Sequence, residues 1–311
     1  MSTINDDITV VIRSVDERTC KICRALVLKQ IPERCIYVVN ETPFEAALRS
    51  CYQIGIKSQT EWMITIDADV LLRDGAIDGI LSEAKAMPSN YFQIEGMIFD
   101  KFTYRSRWAG YRCYRIKCLD IAYKLIPQDY KEIRPESAIR NRMADIGYPF
   151  LRSYRIYGIH DYEQYYIDIY RKAFIYACKH QQWLLDMILL WKKHDNSDND
   201  YHIAMRGLCD GLLSKKDVKI DATYYREKAL KTIEEIGLSE KNELPENSIQ
   251  FKDVEDIIQQ AVNSPDSIIH KPIPSKFMKL KKSYKEFGIL RIIPHVIGSI
   301  MCDIGNKLKK L

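Results

Sequence analysis

Two aspartates carry the first chemical signal in this 311-residue chain. Asp67 and Asp69 bracket a single alanine directly after an apolar run, Trp62-Met63-Ile64-Thr65-Ile66. A run of this kind, without polar alternation, suits a strand covered on both faces. Carboxylates just past the end of such a strand sit in the crevice where open α/β sheets bind ligands. Because side chains alternate along the chain, residues 67 and 69 can address one divalent cation, directly or through water. Hard oxygen ligands suit Mg²⁺ or Mn²⁺, and such an ion neutralises a diphosphate. The plain alternative is a pair of solvated acids at a strand end. A second short motif, Cys20-x-x-Cys23, stands alone. A zinc site would need another pair, and a redox site a thioredoxin-like context.

The elements that must position the aspartates follow from periodicity. Apolar runs at 8–12, 35–39 and 62–66 recur about every 27 residues, with helix-compatible segments between them. Strand, helix, strand at this spacing predicts right-handed βαβ units on a parallel sheet. Beyond the third strand, Asp74-Gly75 precedes a helix over 76–86 whose apolar face is Ile77, Ile80, Leu81 and Ala84. Residues 91–99 predict a further strand and 112–126 another helix. From 161 to 193 the pattern is helical and aromatic, with Tyr162, Tyr165, Tyr166, Tyr170 and Phe174 at three- and four-residue steps. Such a stripe predicts packing rather than chemistry. The polar stretch 194–200 predicts a loop, and helices follow near 199–213, 222–236 and 250–263. A Pro-containing linker at 270–274 leads into the tail.

With these elements in place, residues 8–165 resemble the GT-A glycosyltransferases, in particular family 2-like bacterial sugar transferases. Arg13-Ser14-Val15-Asp16-Glu17 stands where such enzymes have a Pro-Thr-Tyr-Asn-Glu-like loop. Asn40, at the end of the second strand, stands where they often place an Asp that reads the nucleobase. Ala47-Leu48-Arg49 is similar to their Ala-Arg-Asn segment, and the Asp-x-Asp strand follows. Arg13 in place of Pro and Asn40 in place of Asp are departures that bear on the donor base more than on the fold. The resemblance implies an α/β fold of GT-A (Rossmann-like) type. It divides the chain into a nucleotide-sugar transferase domain over 1–165, a helical extension over 166–270 and a tail over 271–311. It also implies donor contacts from Arg13, Ser14, Glu17, Asn40, Arg49 and Asp67.

Two later segments extend the resemblance. Glu136 leads a helix and lies eleven residues before Gly147, the spacing at which these enzymes carry their catalytic base. That implies Glu136 as the group that deprotonates the acceptor hydroxyl. A helix N-terminal Glu stabilised by the helix dipole explains the same residue without catalysis. His160, in Tyr157-Gly158-Ile159-His160-Asp161-Tyr162-Glu163, matches the late His that completes the family's metal shell. The implied metal ligands are therefore Asp67, Asp69 and His160, and imidazole among them favours Mn²⁺ over Mg²⁺. Asp161 is the reserve base or the orienter of the histidine. The activity implied is inverting transfer of a sugar from a nucleotide-diphosphate donor to a glycan or lipid-linked acceptor, in assembly of a lipopolysaccharide, capsule or other surface glycan. Arg49 reads equally well as a solvent-facing helix residue. Ile66 to Leu71 also resembles the nucleophile strand of haloacid-dehalogenase-like phosphatases, but two strands precede it and no Gly-Asp-x-x-x-Asp-like pair follows. A non-catalytic, membrane-docked adaptor on the same fold is the third reading.

Composition narrows the setting. Hydrophobic content of 46% and charged content of 29% exclude a disordered, collagen-like or multi-spanning chain. Residues 271–311 hold ten Lys and Arg against Glu286 and Asp303, a net +8, while the first 270 carry 37 basic and 40 acidic side chains. The basicity thus belongs to the tail, which argues against a nucleic-acid surface. The acidic start lacks the pattern of a signal peptide, and nine scattered cysteines suit reduced thiols, so a cytoplasmic location is expected. In 275–287, Phe277, Leu280, Tyr284 and Phe287 share one helical side and lysines fill much of the rest. That make-up predicts a helix lying on the inner membrane surface, with the protein peripheral on its cytoplasmic face. The alternative is packing on the catalytic domain or on a second copy in a homo-oligomer.

Overall fold

The three apolar runs form strands β1 (Ile8–Ser14), β2 (Ile36–Asn40) and β3 (Trp62–Asp67), joined by helices α1 (Cys20–Leu28) and α2 (Phe44–Lys57). Both pairings, β1 with β2 and β1 with β3, are parallel, as the βαβ spacing predicts. In this computed structural model the described residues are 7–132, 134–179, 184–194, 198–214 and 225–271. The amphipathic segment of the tail lies outside them. β1 and β3 are buried along their length, whereas β2 is an edge strand with Tyr37 and Val38 exposed. Its apolar residues are therefore not covered on both faces, contrary to the sequence expectation.

Four further strands complete a seven-stranded mixed sheet in the order β2-β1-β3-β6-β5-β7-β4. They are β4 (Val70–Leu72), β5 (Gln93–Asp100), β6 (Arg105–Arg115) and β7 (Phe150–His160). The helix expected over 112–126 is a correction. Arg112 to Arg115 end the long strand β6, and only Leu119–Lys124 is α-helical (α4). β6 runs antiparallel between β3 and β5 and supplies the backbone partners of both. That demand outweighs the helical spacing of its apolar residues.

Helices α1, α3 (Ala76–Lys85) and α10 (Phe251–Asn263) share one core with the sheet. Helices α2, α4 and α5 (Pro135–Asp145) enclose a second core with Val11, Met63 and Tyr114. A third core gathers α6 (Tyr166–Lys179), α7 (Leu184–His194), α8 (Asn199–Leu213) and α9 (Arg226–Glu235). There Tyr166, Tyr170 and Phe174 are buried, so this part of the aromatic stripe is packing. Gly207 and Gly211 let α8 approach α6 closely; a Cβ on either would sit 2.5 Å from a carbonyl oxygen of α6. α10 leaves this cluster and seats Val254, Ile258 and Ala261 in the sheet core. The fold is α/β, a sheet with a parallel Rossmann-like first half and a largely helical C-terminal region.

Candidate active site

Strand register assembles the site. Val70 on β4 stands opposite His160 on β7, which sets Asp69, one residue earlier, against Asp161, one residue later. The backbone closes this pair, since the Asp161 N–H donates to the Asp69 carbonyl at 3.2 Å. Asp100, the last residue of β5, stands opposite His160 on its other side. Three strand termini thus converge. Asp161 also has a left-handed backbone (φ 63°), uncommon for a residue with a Cβ and best tolerated by Asp and Asn.

The Asp-x-Asp turn is stitched from behind. The Ala68 N–H donates to the Arg13 carbonyl at 2.8 Å, and Thr19 Oγ1 donates to the Ala68 carbonyl at 2.8 Å. Ala68 is fully buried, which accounts for a small residue between the acids. Gly110 on β6 backs the same turn with φ 66°, and a Cβ there would lie 2.7 Å from Val70 and 3.1 Å from Asp67.

The two aspartates part company. Asp67 is the lateral partner of Arg13 in the β1–β3 ladder, and Arg13 Nη2 lies 2.5 Å from its Oδ1. Asp69 points into a cluster with His160 and Asp161, whose ligand atoms all lie within 4.8 Å of one another. Of the expected metal ligands, the structure brings Asp69 and His160 together with Asp161, while Asp67 is paired with Arg13. The donor set fits a divalent ion: two carboxylates, an imidazole, and a buried Asp69 Oδ1 that makes no hydrogen bond.

Charge compensation in this cluster is dense. His160 Nδ1 lies 3.0 Å from both Asp100 Oδ2 and Asp161 Oδ2, and Nε2 lies 3.5 Å from Asp69 Oδ1. Burial alone would lower the His160 pKa, but Asp161 and Asp69, with the contact to Asp100, raise it to about 10. Arg107 Nη2 pairs with Asp100 at 2.7 Å. Lys172, from α6, places Nζ 2.5 Å from Asp69 Oδ2 and also contacts Asp161 Oδ1. Against the penalty of burial, Lys172 and His160 hold the Asp69 carboxyl below its usual value. Half-buried Glu17 goes the other way: burial and the nearby Asp69 charge push it up to about 7.

A cavity of about 430 Å³ opens beside these strand ends. Asp67, Asp100, His160 and Asp161 line one side, while Ile169, Lys172 and Tyr176 of α6 line another. Glu136 is not among the lining residues. It begins α5 and lies between two guanidiniums, 2.6 Å from Arg13 Nη1 and in close contact with Arg112, with the Tyr114 hydroxyl donating at 3.2 Å. Burial opposes ionisation, but Arg112 and Arg13 hold its carboxyl below the usual range.

The remaining expected donor contacts divide as well. Ser14 donates to Glu17 Oε2 at 2.8 Å, and Asn40 donates to Asp16 Oδ1 at 2.7 Å, so these residues share the carboxyl ends of β1 and β2. Arg49 does not join them; on α2 it pairs with Asp129 at a partly exposed position, the solvent-facing alternative. Three participants were absent from the sequence expectation: Asp100, Arg107 and Lys172. Only Lys172 leaves a trace there, as a cation in the run Tyr166 to Ala177.

No protein-family model matches the chain, and no curated protein matches it. Similar solved structures overlap about half of it. A glycosyltransferase involved in glycosylation of the major capsid of PBCV-1 is 15% identical over 47% of this chain and 81% of its own, with a TM-score of 0.34. A CMP:2-keto-3-deoxy-manno-octonic acid synthetase complexed with CTP is 11% identical over 48% of this chain and 89% of its own, with a TM-score of 0.32. The catalytic domain of Drosophila β1,4-galactosyltransferase 7 is 13% identical over 47% of this chain, TM-score 0.32, and the match spans 63% of that domain.

Proposed function

We propose that the protein is a glycosyltransferase that moves a sugar from a nucleotide-diphosphate donor to a hydroxyl acceptor, with a divalent metal held by Asp69, His160 and Asp161. The observation that carries this reading is the convergence of those three side chains at strand ends beside a cavity of substrate size. When bound, a Mn²⁺ or Mg²⁺ ion would stabilise the negative charge of the departing diphosphate. The chain's own contribution is orientation. Ser14, Glu17 and Asn40, at the carboxyl ends of β1 and β2, would contact the nucleoside. Arg13 holds the Asp67 carboxylate in place through their ion pair. Residues 1–165 would bind the donor, and 166–270 would supply the opposite wall of the cavity through α6.

Glu136 in this reading is a positioning residue. Its oxygens are taken up by Arg13, Arg112 and Tyr114, so it holds Arg13 against Asp67 rather than receiving the acceptor proton. The setting we propose is surface-glycan assembly at the cytoplasmic face of a membrane, with residues 275–311 on the lipid and a lipid-linked acceptor.

A screen of nucleotide sugars for Mn²⁺-dependent release of nucleotide diphosphate tests the reading. One donor should be turned over, and Asp69→Ala should abolish turnover without unfolding the chain. Full activity of that variant, or of the wild-type chain in excess chelator, overturns the metal-assisted mechanism.

A further inference from the structure

At the Asp69–Asp161 pair the chain supplies its own cation. Lys172 Nζ lies 2.5 Å from Asp69 Oδ2 and contacts Asp161 Oδ1. The same two residues belong to the trio whose ligand atoms converge within 4.8 Å. An ammonium and a divalent ion cannot both sit on these oxygens, because each needs the same lone pairs and two cations at that separation repel. The lysine is nevertheless not locked in place. Its side chain is 26% exposed and borders the cavity, so its flexible four-carbon stem can leave without unpacking α6. Asp69 Oδ1, buried and without a hydrogen bond, offers an incoming ion a first foothold while Oδ2 still holds the lysine.

We propose that Lys172 is a displaceable counter-cation. Its ammonium and a divalent metal ion alternate on the Asp69–Asp161 pair, so Lys172 weakens metal binding and keeps the two buried carboxylates compensated when no metal is bound. The proposal rests on the metal site described above, and not on sugar transfer. Lys172 shares this compensation with His160, which faces both carboxylates, so a chain lacking the lysine is one positive charge short at a buried site and gains more from a bound metal. A released ammonium would also add positive charge to the cavity that Arg107, Arg134 and Arg171 already line, which favours an anionic ligand there.

Mn²⁺ binding to the full chain, followed by calorimetry and by the spin-resonance signal of free Mn²⁺, tests this without donor or acceptor. Lys172→Met should bind Mn²⁺ at least about tenfold more tightly than wild type, a change of about 1.4 kcal/mol. Lys172→Arg should behave as wild type, and adding Asp69→Asn to Lys172→Met should remove the gain. In chelator, Lys172→Met should melt below wild type, and Mn²⁺ should raise its melting temperature more than that of wild type. Should Lys172→Met fail to fold in chelator, refolding with Mn²⁺ should recover it. Mn²⁺ affinity no greater in Lys172→Met than in wild type, or failure of that variant to refold with Mn²⁺ while Lys172→Arg folds, overturns the proposal. Tighter Mn²⁺ binding with no nucleotide sugar turned over would leave this inference standing and remove the transferase reading. Mn²⁺-dependent turnover with no gain in affinity would do the reverse.

Discussion

At the residue scale, Arg13 and Glu136 form the most heavily compensated charge set beside the site. Arg13 is 4% exposed, and its guanidinium is shared between Asp67 and Glu136; Glu136 in turn lies against Arg112. Removing one member of a buried pair costs about 3–5 kcal/mol, because the remaining charge is stranded. Glu136→Gln should therefore lower stability by an amount of that order, measured by urea unfolding. The pH–rate profile of any donor turnover should keep the wild-type shape. A stable Glu136→Gln variant that loses its acidic limb and about 10²-fold in turnover would make Glu136 the general base instead. The sequence marks Glu136 by its spacing to Gly147 and Arg13 by its place in the loop after the first strand. It holds no sign that Arg13 would lie between the two acids, since that depends on the register of β1 against β3.

At the element scale, α6 does two jobs with one helix. Tyr166, Tyr170 and Phe174 pack into the helical core, while Ile169, Lys172 and Tyr176 border the cavity. Contact with α8 sets how deeply the second face reaches. Gly207→Ala would drive a Cβ to 2.5 Å from the Tyr170 carbonyl oxygen, and overpacking of this kind costs about 1–3 kcal/mol. The expected outcome is a lowered melting temperature together with a weakened Lys172 contact, visible as tighter Mn²⁺ binding than wild type. An unchanged melting temperature would show that α8 is free to shift. β6 teaches a related lesson. A helix is expected from residue 112, yet β6 runs to Arg115 because β3 and β5 both need it as a neighbour.

At the scale of the whole molecule, the described residues up to His270 form one compact unit, and no helix among the described residues is long and apolar enough to cross a membrane. The tail is a separate matter. Its net +8 and one-sided apolar residues suit a lipid interface, where each basic residue contributes about 1 kcal/mol near an anionic leaflet. Full-length protein should co-sediment with anionic vesicles, and raised salt should release it. A chain ending at Pro274 should stay in the supernatant and keep the wild-type melting temperature. Equal behaviour of the two would assign the tail to packing on protein.

What the sequence determined by itself is local. Apolar runs without polar alternation, spaced by helix-length segments, led to parallel strands β1, β2 and β3. The small Ala68 between two acids at a strand end placed the site at the edge of the sheet. Helix α3 follows directly from its apolar periodicity, and α5, α8 and α10 lie where helices are expected. What only the tertiary structure decided is which side chains meet. Asp69 faces Asp161 because β4 pairs with β7, Asp100 joins them because β5 flanks β7 on its other side, and Lys172 arrives from a helix about a hundred residues further along the chain. Those neighbours are set by strand order and register, which depend on long-range pairing and leave no periodic trace in the chain.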